Sequence, residues 1–93
     1  MATVSSDHLT VKKDVGNLGE VNEKHSLDRL AGETGIGQVR WATHGAVTAA
    51  NAHPHLDCQH EIAIVHNGII ENHRELASRL NGRHRFVSET DSE

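Results

Sequence analysis

Cysteine occurs once in these 93 residues, tyrosine not at all, and proline, tryptophan and phenylalanine once each. A single thiol closes no internal disulfide, which excludes a disulfide-stapled secreted miniprotein and points to a reducing, cytoplasmic setting. Aromatic content of 2% and hydrophobic content of 35% predict a thin core, because large rings normally supply much of the buried area. A chain of this size buries only roughly 60–65% of its unfolded surface. No apolar run approaches the roughly 20 residues of a membrane span, and no signal-like segment opens the sequence, so no membrane partner is expected. Nine Lys and Arg against thirteen Asp and Glu leave a formal charge of −4, without the basic surplus that nucleic acid demands. One proline and 24% charged residues also speak against disorder along the whole chain.

What the sequence has in excess is histidine. Protonating all nine would take the formal charge from −4 to +5, so stability is expected to depend on pH near the ordinary imidazole value of about 6.5. The local patterns predict an α+β domain with an antiparallel sheet and two or three helices. Residues 2–13 read as a hairpin, with Val4, Leu9 and Val11 on alternating positions and Ser5, Ser6 and Asp7 as its turn. Leu18, Val21, Leu27 and Leu30 recur at helical spacing, and Ser26 is a candidate second N-cap, giving one broken helix or two short ones. Ile36, Val39 and Trp41 suggest a strand carrying Gln38 and Arg40. Residues 42–56 form a long loop. The run 61–65, EIAIV, is the best candidate for a buried strand and ends in the turn signal His66-Asn67-Gly68. Asn72 is placed to cap a helix running to Leu80 with Leu76, Ala77 and Leu80 inward, and Phe86-Val87 reads as a short strand. Thr90 with Glu93 three residues on has the form of a capping box.

Three segments carry chemistry. His53 and His55 flank Pro54, with His44, Cys58, His60 and His66 nearby, which invites a zinc reading. No partner pair at structural-zinc spacing accompanies Cys58, so no metal is assigned and polar loop histidines bonded to backbone are the plainer account. Arg40-Trp41-Ala42-Thr43-His44-Gly45 offers a guanidinium able to grip a carboxylate, or a solvated charge at a strand end. Where a buried strand breaks at Asn67-Gly68, a side-chain amide and a backbone N–H can converge on one oxygen, as an oxyanion hole requires. A plain Asn-Gly turn is the alternative.

Taken together, RWATHG, NAHPH, IVHNGIIEN and SETDSE closely resemble the glutaminase domain of the class II glutamine amidotransferases. Within that group they look like the isomerising glutamine–fructose-6-phosphate aminotransferases, the glucosamine-6-phosphate synthases. The resemblance runs the length of the chain and is dense from Gly35 onward. It implies an N-terminal-nucleophile αββα sandwich in which an N-terminal cysteine attacks the glutamine side-chain amide, with its own α-amine as base. It also implies Arg40 as clamp for the glutamine α-carboxylate and Asp91 as acceptor for its α-ammonium. Thr43 and His44 would line the carboxylate region, Asn67 and the Gly68 N–H would form the oxyanion hole, and Trp41 would order the loop closing over substrate or pack in the core. No cofactor is implied.

The family opens Cys-Gly-Ile, whereas this chain opens Met1-Ala2-Thr3-Val4, and its cysteine lies at position 58. The expectation is a central portion of such a domain, residues 1–93, that keeps a glutamine-binding wall and is inactive alone for want of the nucleophile. The alternatives are a non-catalytic module that binds glutamine or glutamate or docks on a partner, and a histidine-rich metal-binding protein. Exposed sheet edges and faces in such a partial sandwich are expected to favour self-association.

Overall fold

A computed structural model describes residues 1–40 and 45–93. Strands β1 (Ala2–Ser5) and β2 (His8–Val11) form the expected hairpin, pairing Ala2 with Val11 through Ser5 with His8. The register leaves a two-residue turn, Ser6 and Asp7, both at positive φ (49° and 58°). That left-handed pair matches the twist of the flanking strands, and short polar side chains tolerate it. Strand β3 (Thr34–Ile36) pairs antiparallel with the other edge of β1, giving the order β2-β1-β3.

Helix α1 (Leu18–His25) starts at a reciprocal capping box. The Asn17 side chain accepts from the Glu20 N–H, and the Glu20 carboxylate accepts from the Asn17 N–H. Two otherwise orphaned donors are thereby satisfied, so a helix of only eight residues has a defined start. The helix breaks where Ser26 turns left-handed (φ 52°), and a 3₁₀ turn covers Leu27–Arg29. Two short helical pieces are therefore observed, but the Ser26 side chain caps neither. The Lys12 ammonium donates to the His25 carbonyl at 2.5 Å and so holds the C-terminus of α1 against the sheet.

The second half has less regular structure. Strands β4 (His55–Leu56) and β5 (Ala63–Ile64) form a two-residue antiparallel pair, and α2 spans His73–Leu80. Several expectations are corrected here. The strand predicted over 36–41 ends at Ile36, and Val39 beyond it is 69% exposed. The run 61–65 contributes only Ala63 and Ile64, and Ile62 and Ile64 are exposed. Its apolar character has no covering layer among the described residues, so hydrophobicity alone did not bury it. Phe86 and Val87 lie in no strand. Asn72 precedes α2 as expected but makes no side-chain cap, and Leu76 and Leu80 on its apolar face stay exposed. Glu93 turns back to accept from the Val87 and Ser88 N–H groups rather than completing a box with Thr90.

The described residues make a small α+β domain with two α-helices and antiparallel sheets, and its core is thin. Its buried hydrophobic side chains are Ala2, Val21 and Leu27. The buried polar residues are Thr3, Asn51, His53, His55 and Ser92, four of which lie in the second half. No helix is long and apolar enough to cross a membrane among the described residues.

Candidate functional site

Residues 88–93 cross the face of the loop 45–56, and four consecutive positions are each tied down. The Glu89 N–H donates to Asn51 Oδ1 at 2.8 Å, while Asn51 Nδ2 donates to Glu89 Oε2 at 3.0 Å and to the Ala46 carbonyl at 2.8 Å. Thr90 Oγ1 meets His55 Nε2 at 2.8 Å. Asp91 Oδ2 accepts from the Ile70 N–H at 2.6 Å. Ser92 Oγ meets His66 Nδ1 at 3.1 Å. Asn51 is 2% exposed, so its amide bonds are shielded from water and costly to lose. Gly45 is part of the same knot: it sits at φ +76°, and a Cβ there would lie 2.8 Å from Asn51 Nδ2.

A lysine clamps the backbone of this loop. Lys13 Nζ donates to the carbonyls of Ala52 and Pro54 at 2.9 and 3.0 Å, and to that of Ala50 at 3.3 Å. The two rings of His53-Pro54-His55 pack edge to face at 4.5 Å, across a cis His53-Pro54 peptide. His53 Nδ1 accepts from the His66 N–H at 3.4 Å. The rings thus take separate partners, and among the described residues no three His, Cys, Asp or Glu side chains gather as a metal set. Burial, with the nearby His53 and Lys13, pushes His55 down to about 4. Burial, with the Arg40 and Lys13 charges, also holds His53 below the ordinary imidazole range.

This packing leaves a cleft of about 410 Å³ whose lining includes Arg40, His53, Asn67, Gly68 and Asp91. Such a volume lies in the range of small-molecule sites. The four described residues singled out from the sequence, Arg40, Asn67, Gly68 and Asp91, therefore share one cavity although up to 51 positions separate them. Trp41, Thr43 and His44 lie outside the described residues. Arg40 also lines a second cavity of about 350 Å³, together with Lys13, Val21, Leu27 and Val47, so it borders both spaces. Its guanidinium donates to the carbonyls of Ala46 at 3.0 Å and Gly45 at 3.5 Å.

The geometry at Asn67-Gly68 is more specific than a turn requires. Gly68 has φ +151°, and a Cβ there would stand 2.9 Å from His66 Nε2. Gln38 Nε2 donates to Asn67 Oδ1 at 2.6 Å and to the His66 carbonyl at 2.8 Å. With its oxygen engaged, the Asn67 amide presents its NH₂ end as the remaining polar group. Gln38 and Asn51 are two site-building residues that the sequence did not single out. Asn51 opens the NAHPH motif, so the motif held a signal. An uncharged Gln among alternating strand-like residues held none.

Comparison with known proteins gives the family. Residues 39–93 match the family described as a glutamine amidotransferase domain. The chain is 53% identical over 90 residues to the isomerizing glutamine–fructose-6-phosphate aminotransferase of Methanothermobacter thermautotrophicus, covering 96% of this chain and 15% of that protein. The protein of the same name from Methanococcus maripaludis is 48% identical over 94 residues, covering 100% of this chain and 16% of its own length. That of Streptococcus pyogenes is 42% identical over 89 residues, with coverages of 96% and 15%. The chain thus spans about 15% of the length of these curated relatives. With more than half of its residues inside the family match and these relatives aligned along it, the chain belongs to the class II glutamine amidotransferases, in the branch similar to glutamine–fructose-6-phosphate aminotransferase.

Proposed function

We propose that the cleft is the glutamine-binding part of an amidotransferase site, with an overall plan derived from the N-terminal-nucleophile αββα sandwich. The observation that carries this reading is the gathering of Arg40, Asn67, Gly68 and Asp91 around one cavity. An amino acid is a zwitterion and needs a cation and an anion within one short cleft. Arg40, which also donates to the Gly45 and Ala46 carbonyls, would pair with the α-carboxylate through charge-assisted bonds, roughly twice as strong as neutral ones. Asp91, held at Ile70, would accept from the α-ammonium. The side-chain carbonyl would then face the Asn67 amide and the Gly68 N–H, where negative charge builds when a nucleophile attacks. Thr43, His44 and Trp41 would line or cover the carboxylate end.

In this reading glutamine hydrolysis supplies ammonia for an acceptor, a sugar phosphate in proteins like the named relatives. The 93 residues hold one thiol, Cys58, which is not part of the cleft lining and carries no α-amine to serve as its base. The chain by itself is therefore expected to bind glutamine or glutamate without hydrolysing glutamine. Charge-assisted bonds contribute about 1.5–3 kcal/mol each where shielded. Two of them give at best a millimolar affinity, since 1 mM is about −4.1 kcal/mol and association itself costs free energy.

An NMR titration with glutamine tests this. Amide shifts should gather at Arg40, Asn67, Gly68 and Asp91, and an assay for released ammonia should stay at the heat-killed level. Amides unmoved at ligand concentrations well above about 1 mM would overturn the binding reading. Ammonia release would overturn the inactivity. Exposed Ile62, Ile69 and Val87, each at least 60% accessible, favour self-association or docking on a partner as a second property of the same chain. A sedimentation coefficient that rises with concentration is the expected signature.

A further inference from the structure

The one cysteine is part of a second constellation outside the cleft. Cys58 is exposed in the turn between β4 and β5. Asp57 organises that turn, its carboxylate accepting from the Glu61 and Ile62 N–H groups at 2.8 Å each. Cys58 Sγ lies 3.1 Å from His84 Nδ1, and His84 Nε2 lies 3.0 Å from Glu93 Oε1. The sulfur also receives the Arg85 N–H at 3.1 Å. The His84 ring stands edge-on to Phe86, with centroids 4.6 Å apart.

These contacts define the roles. Glu93 has a side chain only 1% exposed, and it already accepts from the Val87 and Ser88 N–H groups at 2.9 and 2.7 Å. Burial opposes the charged form of Glu93, but the hydrogen bonds from Ser88, Val87 and His84 outweigh it and hold the carboxyl below its ordinary range. An ionised carboxylate only accepts, so His84 carries its proton on Nε2 and turns the Nδ1 lone pair to the thiol. One imidazole bridging sulfur and carboxylate through its two nitrogens is a proton relay rather than a chelate. The thiolate is the reactive form of cysteine, and here the imidazole can take its proton while a backbone N–H faces the resulting charge.

We propose that Cys58, His84 and Glu93 form a reactive-thiol site that exchanges with small disulfides, making Cys58 a site of reversible mixed-disulfide modification. In the step, the Sγ proton passes to His84 Nδ1 and the thiolate attacks one sulfur of R–S–S–R′. The R–S–S–R′ bond breaks, a Cys58–S–S–R bond forms, and the R′–S⁻ leaving group takes the proton back from His84 as R′–SH. The disulfide is the oxidant, so electrons balance, and a free thiol reverses the reaction. Glu93 is a positioning residue, acting through His84.

Because the chain holds one cysteine, every exchange event reports Cys58. The test measures the rate of reaction with the aromatic disulfide DTNB at neutral pH, and the mass of the adduct with glutathione disulfide. The folded chain should react at least about tenfold faster than the same chain unfolded in urea. His84→Ala should remove that advantage, and added imidazole should restore part of it, which a merely structural role would not allow. In Glu93→Gln the rate should fall several-fold, and the imidazole ¹⁵N spectrum should lose its single Nε2–H tautomer. Equal rates in the folded and unfolded chain, a comparison that needs no variant, would overturn the proposal. So would a His84→Ala chain that folds and reacts as the parent does.

Discussion

The first 36 residues and the stretch from 45 to 93 are held together by different means. The first region rests on backbone ladders: β1 pairs on both edges, α1 carries a complete capping box, and the buried hydrophobic side chains Ala2, Val21 and Leu27 lie within it, whereas the second buries the Pro54 ring. The second has a two-residue strand pair and one helix with no buried residue. Its order comes from side chains that reach across loops, above all Asn51 to Glu89, His55 to Thr90, Asp91 to Ile70 and His66 to Ser92. A ladder tolerates the loss of any one side chain. A polar network loses shielded partners together, so the half that carries the candidate site should be the more fragile.

Breaking Asn51 should have the largest effect. Asn51→Ala removes both bonds to Glu89 and the bond to Ala46 from a buried position, at an expected cost of about 3–4 kcal/mol. Hydrogen exchange should show protection lost across 45–93 while the β1–β2 amides keep theirs. Equal loss in both regions would mean that they form one cooperative unit.

Acid should separate the regions next. Folding depresses His55 to about 4 and lowers His53 as well, so the unfolded chain binds these protons more readily than the folded one. Their contribution is fully present above the unfolded value of about 6.5 and is lost as pH falls from there toward 4. The loss for His55 is on the order of 2 kcal/mol after solvent screening. Melting temperatures should therefore be level from pH 8 to 7 and drop between about 6.5 and 4. His55→Gln should flatten that drop.

Two smaller changes sharpen the contrast. Gln38→Leu removes the bond that orients Asn67, at about 1 kcal/mol, and should weaken the glutamine-induced shift at the Asn67 side-chain amide more than that at Arg40. Asn17→Ala should cost about 1 kcal/mol through the α1 cap, lowering the melting temperature without moving the Asn67 or Asp91 resonances. Movement at those distant resonances would tie the two regions together.

The patterns that were legible in the sequence are those whose cause is local. Alternation at Val4, Leu9 and Val11 with short polar turn residues pointed to a hairpin, and helical spacing around Val21 pointed to one broken helix or two short ones, of which the structure shows two short pieces parted at Ser26. Residue chemistry raised Arg40 and the Asn67-Gly68 step as candidates, each beside a plainer reading, and the family resemblance settled their roles and added Asp91. Tertiary structure alone decided that these four line one cavity, because that depends on where 88–93 crosses the loop 45–56. It also decided that Ile62 and Ile64 stay exposed, since burial requires a second layer and hydrophobicity only favours one. The bonds from Gln38 to Asn67 and from Cys58 through His84 to Glu93 span 29, 26 and 9 positions. No local periodicity encodes such distances; they exist only once the chain has closed on itself.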